Sequence, residues 1–107
     1  MGELVIAVYR PRPGKSKALD AVVRRHVPTL RKLKLATKHP SVVMKADDGV
    51  VVELFEWASR SAVSKAHRHP GVLKLWKAFE KCSTFGTLAK LPGAGSPFPH
   101  FKAVRVT

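Results

Sequence analysis

Two histidines, His26 and His67, are the side chains of this sequence best suited to moving a proton near neutral pH. His26 falls in the middle of an apolar helical stripe, where a neutral imidazole can act as acid, base or ligand, or can bond a backbone carbonyl. His67 is followed two residues on by His69, a spacing that does not face one way on a helix, so the pair is not read as a metal site. Trp76 and Phe79 share a helix face and offer either core packing or a wall for a flat aromatic ligand. Tyr9 and Trp57 would join them from strands. Cys82, the one cysteine, reads as a small buried apolar group where a helix passes into a strand. His67 and Trp76 are the candidate catalytic residues, and Tyr9, His26, Trp57, Phe79 and Cys82 are candidates to line the same cleft. Glu53 and Glu56 fall on opposite faces of one strand and cannot work as a carboxylate pair. One of them is expected to pair with a base. No metal ion or organic cofactor is called for.

The elements that must hold these groups follow from periodicity. Glu3 to Arg10 alternates as a strand that is apolar on both faces, and Pro11, Pro13 and Gly14 stop it. Ser16 is expected to cap a helix over Lys17 to Leu35. Leu19, Val22, Val23, His26, Leu30 and Leu33 form its apolar stripe, and Pro28 falls on the opposite, solvent side. Ser41 to Ala46 and Val50 to Trp57 read as two strands joined at Asp47-Asp48-Gly49, a hairpin turn signal. After Ser59 to Ser61, a short helical piece reaches His69, and Pro70 opens a second helix on its first turn. Val72, Leu75, Trp76 and Phe79 form the buried side of that helix. Ser83 to Leu91 reads as a fourth strand, Pro92 to Pro99 as a loop, and Phe101 to Val106 as a short closing strand or arm.

The order β-α-β-β-α-β over one domain, residues 1–107, is the ferredoxin-like split pattern: α+β, with an antiparallel sheet and helices on one face. The first and third strands are apolar on both faces, and the helices can cover only one. A second copy stacked face to face supplies the missing cover, which makes a homodimer.

The run Glu53-Leu54-Phe55-Glu56-Trp57, followed by a Ser, an Ala and then His67, Pro70, Trp76 and Phe79, resembles the antibiotic-biosynthesis-monooxygenase-like group. The resemblance implies a dimeric α+β barrel with a ferredoxin-like subunit. It also implies a small-molecule cleft, with cofactor-independent monooxygenase chemistry on an aromatic or polyketide-like substrate among the activities of the group. The haem-degrading members use an Asn on the first strand. This chain has no Asn at all, and His67 and Trp76 stand in the reverse order, so haem chemistry is not implied.

Charge is the unusual feature of the composition. Twenty Lys and Arg face seven Asp and Glu, a net charge of +13. Such a field draws in polyanions or acidic metabolites, and it also keeps a helix surface soluble. A nucleic-acid-binding module or a non-catalytic dimer is therefore the alternative to the small-molecule reading. No apolar run approaches the roughly 20 residues of a membrane span. The opening residues have neither the basic start nor the cleavage site of a leader, and Ile6 stands where myristoylation wants Ser or Thr. A cytoplasmic protein without a membrane partner is expected.

Overall fold

The computed structural model describes residues 2–106. The chain runs β1 (Glu3–Pro11), α1 (Ser16–Lys32), β2 (Val42–Lys45), β3 (Val51–Trp57), α2 (Arg60–Ala66), α3 (Pro70–Cys82), β4 (Ser83–Phe85) and β5 (Lys102–Val104), with a 3-10 turn at Leu88–Lys90. The five strands form one antiparallel sheet in the order β4-β1-β3-β2-β5. The first four strands have the ferredoxin-like arrangement, and the fold is α+β. No helix among the described residues is long and apolar enough to cross a membrane.

Alternation along β1 and β3 decides what faces the helices. Tyr9 on β1 and Val51, Phe55 and Trp57 on β3 pack against Leu19, Val22, Val23, Val27 and Leu30 of α1 and Val72, Leu75 and Phe79 of α3. Pro28 lies inside α1 on its exposed side, as the stripe requires. The hairpin turns at Gly49, whose φ of 87° suits a residue without a Cβ. Pro70 occupies the first turn of α3, and the His69 side chain caps that helix by accepting from the Gly71 N–H at 3.0 Å. Ser59 caps α2 by accepting from Ala62 N–H at 3.1 Å.

Several boundaries differ from the sequence reading. Ser16 caps nothing: Arg12 to Lys15 already form a turn, and the first helical bond runs from Leu19 N–H to Lys15 C=O, so Ser16 lies inside the helix. The first helical piece after β3 ends at Ala66 and not at His69, because His69 is needed in an extended conformation to cap the next helix. α1 stops at Lys32, three residues short of Leu35. Leu35 N–H reaches Leu30 C=O at 2.8 Å and Lys34 N–H reaches Arg31 C=O at 2.9 Å, while Lys34 takes a φ of 61°. This is the Schellman ending, with Leu30 and Leu35 making its apolar contact. Lysine stands where glycine is usual, so nothing in the sequence marks the stop.

The fourth strand is the largest correction. It ends at Phe85, not Leu91, and residues 86–101 cross the face of the sheet turned away from the helices before β5 pairs with β2. Leu91 is buried there in a cluster with Val8, Ala46, Val50 and Val52, and Phe101 packs beside them. An edge strand would have left Leu91 half-exposed. Part of the second face is thus covered by the chain's own C-terminal strap, where the sequence reading assigns that cover to a second copy. Leu4, Ile6 and Val42 remain uncovered at 61%, 46% and 51% exposure.

Replacing Lys34 by glycine should relieve the left-handed backbone and stabilise the fold by about 0.5–1 kcal/mol. Urea unfolding would read this as a higher midpoint at unchanged slope.

Candidate functional site

Glu53 sits in the centre of the sheet with its side chain among the helices, and it is only 1% exposed. A carboxylate there must find donors. Its Oε1 accepts from the Tyr9 hydroxyl at 2.9 Å and lies 2.8 Å from Nδ1 of His26. With Tyr9 donating to the same oxygen, the network assigns the imidazole proton to Nδ1. His26 is 3% exposed, and its Nε2, on the far side of the ring, has no protein partner. The rings of Phe55 and Phe79 meet the imidazole edge-on at 5.2 and 5.0 Å, fixing its plane. Tyr9 is fixed in turn by stacking on Phe79 at 4.5 Å.

These groups adjoin a cleft of about 270 Å³ whose walls are β1 from Val5 to Tyr9, His26, Phe55, Trp57, Trp76 and the Phe85-Gly86 edge. A second lobe of about 340 Å³ continues over Tyr9, Trp76, Phe79, Glu80 and Phe85. The early end of β4 makes the opening. Its last link to β1 is Gly86 N–H to Val8 C=O at 2.9 Å, and β1 before Val8 has no β4 partner beside it. A strand continuing to Leu91 would have closed that side.

The structure brings Tyr9, His26, Trp57, Trp76 and Phe79 together around this cleft. His67 is exposed at the C-terminal cap of α2 and lines neither lobe, but its ring meets Trp76 edge-on at 4.9 Å. Cys82 is buried in the same core but lines neither lobe. Its thiol lies 3.3 Å from the Ala78 carbonyl, and burial raises its pKa. Glu56 lies on the opposite face, where it accepts from the Thr37 hydroxyl at 2.7 Å. Among the described residues, no three His, Cys, Asp or Glu side chains are placed to share a metal ion.

Glu53 is the residue that sequence reasoning leaves out of the site. The signal is present: a single acid among Val51, Phe55 and Trp57 on the inward face of a strand, opposite a helical stripe holding one histidine. An acid in that position is buried and must be paired.

No family model matches the chain, and neither a curated protein nor a solved structure does.

Burial raises the Tyr9 pKa far above the usual phenol value of 10.0, with the charge of Glu53 and the hydrogen bond to it adding to the effect. The folded state therefore holds this proton more tightly than the unfolded chain. The resulting stability is fully present below pH 10 and is lost as pH rises beyond it. Tyr9 is the sole tyrosine, so ultraviolet phenolate absorbance reports on it alone. It should appear only together with loss of circular dichroism. A phenolate signal near pH 10 in a folded chain would contradict the buried network.

Proposed function

We propose that this chain binds a flat, largely apolar ligand in the cleft between β1 and α3, and that His26 takes a proton from it. One observation carries the reading: a buried imidazole, held through Nδ1 by a carboxylate, has an unpartnered Nε2 beside an aromatic cleft. Glu53 fixes the tautomer that leaves Nε2 as a lone pair and stabilises the imidazolium formed when a proton arrives. Tyr9 keeps its own proton and steadies the carboxylate. Trp76 flanks the bound ring, and His67, edge-on to Trp76, positions that indole.

The chemistry fits a ligand with a weakly acidic phenol or a doubly benzylic C–H. The resemblance in the β3-to-α3 stretch extends the reading to cofactor-independent oxygenation of an aromatic or polyketide-like substrate, with dioxygen as co-reactant. In the balanced change, a ring methylene and one dioxygen become a ketone and one water. The carbon loses two hydrogens and gains one oxygen atom, and the second oxygen atom leaves with both hydrogens as water. His26 would supply the first step, in which the C–H bond breaks and its electron pair stays on carbon.

The test is oxygen uptake and ketone formation with an anthrone-type substrate, followed in parallel by quenching of Trp fluorescence. His26→Gln should lower kcat by about 10²–10⁴-fold, the range of a lost general base, with ligand binding retained. Glu53→Gln should lower it less, and His67→Ala should act mainly on KM. Unchanged turnover in His26→Gln would remove the base from this reading.

The uncovered Leu4, Ile6 and Val42 side chains favour a two-fold pairing of this face with a second copy, the isologous arrangement of most dimers. Sedimentation should give twice the 11.8 kDa chain mass, and Ile6→Asp should return it to one. A wild-type chain that sediments as a monomer at tens of micromolar would end the dimer proposal without touching the cleft.

A further inference from the structure

On the outer side of the helical layer, α1 and α3 leave a groove of about 390 Å³ between them. Its walls carry Arg25 from α1 and Lys74, Lys77 and Lys81 from α3, over a floor that includes Leu75 and Ala78. No acidic side chain lines it. The ion pairs among the described residues engage Arg10, Lys45, Arg60 and His26, and none of the four groove cations. Four exposed positive charges without an acidic partner on two facing walls make a locally positive groove that attracts a polyanion.

The spacing says what fits. Lys74, Lys77 and Lys81 stand three and four residues apart, so they share one side of α3. At 1.5 Å of rise per residue they span about 10 Å. One strand of a nucleic-acid duplex presents a phosphate about every 3.4 Å of axial rise, roughly three charges over that length. The concave shape admits a ridge of backbone between the three lysines of α3 and Arg25 of α1, which the flat plane of a lipid surface cannot enter. The lining holds no aromatic ring on which an unpaired base could stack, as single-strand binders use. We propose that the α1–α3 groove binds the sugar–phosphate backbone of a nucleic-acid duplex without reading its sequence. This site is separate from the His26 cleft, and neither proposal depends on the other.

Fluorescence anisotropy with two labelled duplexes of unrelated sequence, titrated at several salt concentrations, tests this. Both should bind alike, with log K falling against log salt at a slope of about −3.5, as expected for about four neutralised phosphates. Lys74→Glu with Lys77→Glu should weaken binding by about 10-fold or more, and Arg25→Glu from the other wall should act in the same direction. Lys90→Glu with Lys102→Glu, at exposed positions outside the helical layer, makes the same change in net charge and should cost less than about 3-fold. Equal losses in the two double variants would overturn the proposal, since the general field of the chain would then be responsible. No binding at about 50 mM salt would overturn it as well. So would a groove variant that loses binding to phosphatidylserine vesicles but keeps the duplex.

Discussion

A carboxylate buried in the middle of a sheet is the constraint that organises this molecule. Glu53 cannot be left without donors, and the two it has come from different elements, Tyr9 on β1 and His26 on α1. One oxygen therefore ties together the central strand pair and the helix packed across it. The rings around it follow: Phe79 stacks on Tyr9 and closes on His26, and Phe55 meets His26 from β3. Breaking such a network by removing one partner leaves a buried charge uncompensated, which is far more costly than the network is stabilising. The same shortage of donors and acceptors leaves Nε2 of His26 over, and the candidate chemistry of the cleft begins from that atom.

Much of this is legible in the residues. The alternation of β1 and β3, the stripe of α1, the hairpin at Gly49 and the entry of α3 at Pro70 each rest on a local rule with a strong physical cause, and each stands in the structure at or near its expected place. What is not legible depends on contacts between distant residues. Lys34 ends α1 in a conformation that lysine disfavours, because burying Leu35 against Leu30 outweighs the local cost. Phe85 ends β4 because Leu91 finds a buried place on the far face of the sheet. Neither outcome is written in a window of a few residues.

For the site, the sequence names most of the walls but not its centre. His26, Tyr9, Trp57, Trp76 and Phe79 are marked by type and face. Glu53 escapes any search for two acids acting together; its mark is a lone acid among apolar residues on the inward strand face, and only the fold shows that a phenol and an imidazole meet it there. His67 carries less weight in the geometry than in the sequence, since sequence order cannot say whether a histidine at a helix end turns inward or outward. The charge is visible from the start, but only the packing of α1 on α3 gathers four of the cations into one groove.

The C-terminal strap also sets an order in time. During synthesis β1 can pair with β3 once residue 57 has emerged, and the helices can then cover one face. Val8, Val50 and Val52 on the other face must wait for Leu91, Phe101 and β5, which follow much later in the sequence. Until then the nascent protein carries a bare apolar sheet with its β2 edge unpaired, the kind of surface that recruits other chains. The strap is therefore a stretch where an early stop codon would do harm out of proportion to the few residues it removes. It would leave the helical layer and its cleft residues complete but release a molecule prone to aggregate.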